Sequence, residues 1–298
     1  MRANATCIAC QLAKQEKLIR QFPDEEKNAA YINEVLKVLH DHGLEDSAPA
    51  LSMRIDEVYA RYFPPVTDYD AIKRKFNRYM LGLEDQVRDR IKKAPDRLKE
   101  GIRYVCAGNY IDFGTQETVS DSILEELIRK AGEEDVDEGE LACLKEDLAG
   151  ADRLLYLTDN CGEIVMDKLL IELIKELYPR LEITALLRGG PVINDATLED
   201  ARETGLDRIV PCVGNGFPIP GTDLAFCNEE TKTLLDRADV IIAKGQGNFE
   251  GLYGGPYNPY YLFLCKCELF VRRFGLAQYS SVFARQDHIS IRGGTDAQ

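Results

Sequence analysis

The stretch from Arg153 to Asp167, Arg-Leu-Leu-Tyr-Leu-Thr-Asp-Asn-Cys-Gly-Glu-Ile-Val-Met-Asp, constrains the fold of this chain more than any other. Arg153–Thr158 reads as a short buried strand, apolar and followed at once by turn residues. Asp159-Asn160-Cys161-Gly162-Glu163 breaks the apolar run. Ile164, Val165, Leu169, Ile171 and Ile174 then open a helix-length pattern that lasts until Pro179. A strand that ends in Asp-Asn and turns through glycine into a helix belongs at the carboxyl edge of a parallel sheet, where open α/β folds bind ligands. Asp159 offers an anionic oxygen and Asn160 a neutral amide oxygen, donors that suit magnesium or manganese. An Asx turn with an N-cap would use the same two residues, so the stretch alone leaves both readings open.

The chain around it divides in style near Gly150. Before that point helices are expected and no strand alternation. Cys7-Ile-Ala-Cys10 opens a segment running to Gln21, and Asp24-Glu25-Glu26 heads a helix through Ala29, Ile32, Val35, Leu36 and Leu39. Pro49 to Tyr62 carries Leu51, Ile55, Val58 and Tyr59 at helical spacing and stops at Pro64-Pro65. Further helices are expected over Tyr69–Lys93, from Pro95-Asp96 to Cys106, over Ser120–Ala131 and over Glu138–Leu148. After Gly150, strands at Arg153–Thr158, Glu182–Leu187, Arg208–Val213, Val240–Ala243 and Ser280–Ala284 alternate with helices. Those helices fall at Glu163–Tyr178, Asp195–Thr204, Asn228–Arg237 and Pro259–Phe274. Such alternation predicts an α/β fold: an N-terminal helical bundle or cap over residues 1–150, then a Rossmann-like, doubly wound, mainly parallel sheet over 151–286. Residues 287–298 are expected to be a tail.

Bulk properties narrow the function. A chain of 298 residues can bury a sizeable core. No apolar run reaches membrane-spanning length, and the start Met-Arg-Ala-Asn-Ala-Thr-Cys lacks the apolar core of a signal peptide, so a cytoplasmic protein with no membrane partner is expected. The net charge of -14 argues against a nucleic-acid partner. It leaves room for a small phosphorylated substrate, because a local site or a metal can reverse the sign of the field. The nine cysteines are odd in number and scattered, which fits reduced thiols rather than a disulfide framework.

Four strand ends carry unusual turns: Asp159 to Glu163, Arg188-Gly-Gly-Pro-Val-Ile-Asn194-Asp195-Ala-Thr197, Val213-Gly-Asn215-Gly to Gly221, and Lys244-Gly-Gln246-Gly-Asn248-Phe-Glu250. In a parallel sheet all four lie along one edge. Asp195 is either the N-cap of its helix or a third oxygen ligand beside Asp159 and Asn160. Two carboxylates and one amide leave positions of an octahedral ion open for water and substrate. The Lys244 turn is not a P-loop, since its lysine precedes the glycines, yet the glycines could let backbone N–H groups approach a phosphate; a flexible loop is the alternative. In the first half, Cys106-Ala-Gly108-Asn109-Tyr-Ile-Asp112-Phe-Gly114 ends a helix. A C-cap accounts for Gly108 and Asn109 but not for Asp112 in its apolar setting. This segment is a candidate to close the site from the bundle side.

Together these motifs resemble the metal-dependent damage-control phosphatases, a family long catalogued as a domain of unknown function. The resemblance spans nearly the whole chain and rests on Cys7-x-x-Cys10, Gly108-Asn-x-x-Asp112-Phe, Asp159-Asn-x-Gly-Glu163, Asn194-Asp195-Ala-Thr and Lys244-Gly-x-x-Asn248. It implies that Asp159, Asn160 and Asp195 hold a divalent cation: manganese, cobalt, nickel or magnesium. It also implies that the Asn248 loop and Lys266, in Cys265-Lys266-Cys267-Glu268, bind substrate. Candidate substrate contacts are Asn109, Gly245, Gln246, Asn248, Glu250 and Lys266, and candidate catalytic groups are Asp159, Lys266 and Asp112, the last as a general base or a support. The expected reaction is hydrolysis of small phosphorylated metabolites by metal-bound water, since no Asp-x-Asp pair suits an aspartyl-phosphate route. Eukaryotic relatives carry a more basic or aromatic substrate loop. This chain has Gln246, Gly247 and Glu250, so substrate identity does not carry over, and the Cys pair places it with shorter prokaryotic-type members.

Cys7 and Cys10 supply two of the four ligands that zinc needs, and Cys267 could join them in space, but nothing local requires it and packed helical cysteines are the favoured account of the pair. His40, His42 and His288 are too scattered for a histidine site. Asp167 is read either as facing the helix surface or as orienting a ligand. Two other functions compete: a non-catalytic sensor using the same sheet edge, and a methyltransferase. The methyltransferase reading needs a Gly-x-Gly loop after the first strand and an acidic end to the second; Asp-Asn-Cys-Gly-Glu and Arg188-Gly-Gly stand there instead.

Overall fold

The computed structural model describes residues 1–110 and 122–290, so Asp112 lies outside the described residues. Seven helices come first: α1 (Ala5–Ile19), α2 (Glu25–His42), α3 (Ala48–Tyr62), α4 (Tyr69–Lys93), α5 (Arg97–Gly108), α6 (Ser122–Glu133) and α7 (Glu138–Gly150). Their starts are written in side chains. The carboxyl or hydroxyl oxygens of Asp24, Ser47, Asp68, Asp96 and Asp137 each accept a backbone N–H of the first turn, which satisfies donors that have no partner inside the helix.

Alternation follows: β1 (Arg153–Leu157), α8 (Glu163–Leu177), β2 (Glu182–Leu187), α9 (Leu198–Thr204), β3 (Cys212–Gly214), α10 (Glu229–Arg237), β4 (Val240–Lys244), α11 (Gly245–Leu252), β5 (Tyr260–Leu264), α12 (Glu268–Phe274) and β6 (Ser281–Arg285). The six strands lie in the order β3-β2-β1-β4-β5-β6. All neighbours are parallel except β5 and β6. The expected doubly wound, mainly parallel α/β fold is therefore present. The chain leaves β1 toward β2 on one side and returns at β4 on the other, so the switch point falls between β1 and β4.

Along β1, β2, β4 and β5 successive buried side chains point to opposite faces of the sheet. Leu154, Tyr156, Ile183, Ala185, Val240 and Ile242 face one core, with α4 to α8 packed on it. Leu155, Leu157, Leu186, Ile241, Ala243, Tyr261 and Phe263 face the other, under α11 and α12. A sheet covered on both faces needs near-continuous apolar strands, and these have them. Helices α1 to α3 gather around a cluster of their own that includes Tyr31, Val35, Leu51 and Ile55. Among the described residues no helix is long and apolar enough to cross a membrane.

Two expectations are corrected, and one alternative is excluded. Pro259–Phe274 is not one helix: Tyr260-Tyr-Leu-Phe-Leu is the two-sided strand β5, and only Glu268–Phe274 is helical. Periodicity cannot separate a short run buried all round from a helix segment. The strand expected at Arg208–Val213 is shorter and later, at Cys212–Gly214, because Leu206–Arg208 closes a 3-10 turn after α9. The Lys244 to Asn248 turn is not a flexible loop but the start of α11.

Candidate functional site

The turn after β1 is fixed from three sides. Ala196 N–H donates to the Asp159 carbonyl at 2.8 Å, and Cys161 N–H donates to the Asn194 carbonyl at 2.8 Å. These bonds, with the bridge between Asn160 and Asp195, lace the turns after β1 and β2 together. From α4, Asn77 Oδ1 accepts the Gly162 N–H at 2.7 Å, while its Nδ2 donates to Asp200 of α9 at 2.8 Å. Gly162 starts α8 at φ 68, a left-handed conformation that favours glycine. Asp195 does not cap α9; Thr197 does, in a reciprocal box with Asp200. Asp195 is thereby left facing the turn.

Asp159, Asn160 and Asp195 thus come together at the carboxyl edge, and Arg188 lies between the two carboxylates. Its guanidinium, fully buried at the end of β2, donates from Nε to Asp195 Oδ2 at 2.5 Å and from Nη2 to Asp159 Oδ1 at 3.5 Å. Asp159 Oδ2 accepts from Asn109 Nδ2 at 3.1 Å and from Asn160 Nδ2 at 2.7 Å. Burial and the neighbouring charges of Glu163 and Asp195 push the Asp159 carboxyl up to about 7, against the pull of Arg188 and Lys266.

Beneath this layer sits a second, fully buried one. Lys244, the last residue of β4, is ion-paired with Glu163 and with Asp167, the latter at 3.1 Å. Asp167 also accepts the Tyr156 hydroxyl at 2.7 Å, so it points into the core and not to the surface of α8. Glu163 Oε2 accepts from Asn109 Nδ2 at 2.8 Å and Asn160 Nδ2 at 3.1 Å. Burial would raise Glu163, but the Lys244 charge and these donors hold it below the usual carboxylate range. Burial lifts Asp167 to about 6 in spite of Lys244.

The fourth turn closes the edge. Gly245 has φ +79, and a Cβ there would stand 2.0 Å from Asp159 Cγ, so α11 begins in contact with the Asp159 carboxylate. Asn248 is fully buried and spends its donors on the carbonyls of Thr158, at 2.9 Å, and Lys244, at 2.6 Å, tying the end of β1 to α11. Gln246 Nε2 donates to Glu250 Oε1 at 2.6 Å. Lys266 is exposed, just beyond β5, and close enough for its charge to reach Asp159.

The donor set fits a divalent cation. Both described bonds of Asp195 go to Oδ2, and the Asn160 NH2 is turned onto two carboxylates, which directs its oxygen away from them. A cation would also relieve the crowding of Asp159 by Glu163 and Asp195. Among the described residues no three His, Cys, Asp or Glu side chains form a metal-holding group, so a cation beside Asp159 and Asp195 would have to take its third protein ligand from an amide such as that of Asn160. Among the described residues Cys7, Cys10 and Cys267 likewise form no such group, and the Cys7 thiol is raised chiefly by burial, with Cys267 adding to it.

Motif reading missed Arg188 and Lys244 as site residues. The available signal was a single basic residue closing an otherwise apolar strand, after Ala185-Leu-Leu187 and after Val240-Ile-Ile-Ala243. At the carboxyl edge of a buried sheet such a charge requires an acidic partner.

Oxygen donors, a buried guanidinium and a helix start meeting at the switch point define an α/β protein with a charge-dense site at its sheet edge. The chain belongs to the damage-control phosphatase ARMT1-like domain family, whose model matches residues 3–282. An uncharacterized protein of Methanocaldococcus jannaschii is 33% identical over 285 residues, 91% of each chain. A damage-control phosphatase of Archaeoglobus fulgidus is 30% identical over 291 residues, 93% of this chain and 96% of its own. Among solved structures, a DUF89 family protein from Pyrococcus horikoshii superposes with a TM-score of 0.81 at 26% identity, covering 96% of this chain and 99% of that one.

Further along α11, Glu250 carries a prediction about stability. Burial pushes its carboxyl up to about 7, although Gln246 and the terminal ammonium of Met1 pull the other way. A carboxyl raised on folding binds its proton more tightly in the native state. It therefore favours folding below its unfolded value, near 4.5, and ceases to do so as pH rises through about 7. Glu250→Gln is expected to flatten this part of the stability curve, gaining on the order of 1–3 kcal/mol relative to wild type at pH 8 and little at pH 4.5. Urea midpoints at the two pH values measure it, and equal shifts at both would refute it.

Proposed function

We propose that this chain is a divalent-metal-dependent phosphatase acting on small phosphorylated metabolites, sugar phosphates or damaged and side-product ones among them. The observation that carries this reading is the meeting of Asp159, Asn160 and Asp195 beside the start of α11 at the switch point. Membership of the damage-control phosphatase family supports it, as does the name of the Archaeoglobus relative.

Manganese, cobalt, nickel or magnesium held by Asp159, Asn160 and Asp195 would supply positive charge to a phosphate oxygen and lower the pKa of a water. Asn109 and Arg188 keep the Asp159 carboxylate in place by donating to its two oxygens. The first N–H groups of α11, from Gly245, Gln246 and Gly247, have no partner inside the helix, and in this reading they donate to phosphate oxygens. Lys266 neutralises charge building on the transferring group. Asn248 holds the α11 start against β1, and Glu250 fixes the Gln246 amide. Asp112, three residues beyond Asn109 in the sequence, is the candidate general base for the attacking water or a support for the ligands.

The test uses metal-stripped protein with p-nitrophenyl phosphate and a panel of sugar phosphates, adding each cation in turn. Phosphate release should appear only with cation and should disappear in Asp159→Ala and Asp195→Ala. Folded wild type that binds cation and releases no phosphate from any compound would overturn the reading in favour of a sensor.

A further inference from the structure

We propose that Glu163, held from below by Lys244, is the positioning residue that turns the Asn160 amide so that its oxygen faces the cation. The inference rests on the function proposed above. An asparagine amide has two ends of nearly equal shape, so its partners decide which end points where. The Asn160 NH2 donates to Asp159 Oδ2 at 2.7 Å and Glu163 Oε2 at 3.1 Å, and the reversed amide would set its oxygen against two anions. Of these two carboxylates Asp159 is itself a proposed ligand, whose oxygens a bound cation would also engage. Glu163 has no such duty. It is fully buried, as are Lys244 and Asp167 on its far side.

Lys244 makes the arrangement directional. It meets Glu163 Oε1, which leaves Oε2 to gather the NH2 groups of Asn109 and Asn160. Lys244 is in turn anchored by Asp167, itself held by the Tyr156 hydroxyl, so the ammonium has a fixed place. A neutral amide at position 163 must present its oxygen to that ammonium. Its NH2 then meets the NH2 of Asn160, and relief comes when Asn160 reverses and presents NH2 to the cation. Groups that orient a metal ligand typically change affinity by about 10–100-fold when altered.

The experiment titrates metal-stripped protein with manganese chloride by calorimetry and follows thermal unfolding of the same samples. Glu163→Gln should bind manganese about 10–100-fold more weakly than wild type while unfolding within a few degrees of it. The double variant Glu163→Gln/Asn160→Asp should recover most of the loss, because a carboxylate at 160 offers oxygen at both ends. Equal manganese affinity in Glu163→Gln and wild type would overturn the inference. So would weakened binding that the double variant does not recover, since that is what a merely structural role predicts. Wild type that binds no manganese would instead remove the metal-dependent reading itself, and this inference with it.

Discussion

Lys244→Met is expected to destabilise the fold by about 3–5 kcal/mol, because it leaves Glu163 and Asp167 buried with no cation beside them. Each carboxylate has zero side-chain exposure, so water cannot replace the lost ammonium. The hydrogen bonds from Tyr156, Asn109 and Asn160 remain, but they cannot balance two charges. For a chain of this size the change corresponds to a fall of roughly 6–15 °C in Tm. The sign of its pH dependence follows from the same groups. With the ammonium gone, both carboxyls gain protons more readily in the folded state, so the deficit should shrink as pH falls toward 5 and persist at 8. Thermal unfolding at the two pH values measures this. A Tm within about 2 °C of wild type at pH 8 would mean that Lys244 is not the counter-ion of this core.

Gly245→Ala is expected to strike the site more than the fold. At φ +79 any side chain strains the backbone by about 1–3 kcal/mol. The larger effect is steric: the new methyl would lie 2.0 Å from Asp159 Cγ and 2.2 Å from both carboxylate oxygens. Asp159 is held by Asn109, Asn160 and Arg188, so relief must move the carboxylate or draw α11 away. A misplacement on the order of 1 Å lowers turnover by about 100-fold. Phosphate release by Gly245→Ala should fall by that factor, with manganese binding weakened in parallel and most of the wild-type Tm retained. Unchanged binding and turnover would show that Asp159 has room the structure does not give it.

The site was half legible in the sequence, and the division has a physical basis. Asp159 and Asn160 stand in the turn directly after β1, and Asp195 in the connection between β2 and α9, where the carboxyl edge of a parallel sheet brings such connections together. Local pattern is enough to bring them forward as candidates. The roles of Arg188, Lys244 and Asp167 depend on partners 7 to 81 residues away along the chain. In the one-dimensional pattern each is only an isolated charge beside an apolar run. Asn248 is similar: the resemblance implies a substrate contact, and only the fold shows that its Nδ2 also ties the carbonyls of Thr158 and Lys244 together inside the core.

What the sequence by itself determined is the alternation of strand and helix after Gly150, the capped helices before it and the polar turns at the strand ends. All are encoded locally, by apolar period, by side chains that cap their own helix and by glycine where the backbone demands it. Only the tertiary structure decided that Tyr260–Leu264 is a strand, that α4 to α8 share one core with the sheet, and that a buried lysine stands behind the oxygen donors. A continuously apolar segment satisfies either element, so the choice falls to what packs against it. A buried charge has a meaning only once its partner is in place, and in this chain the fold alone brings the two together.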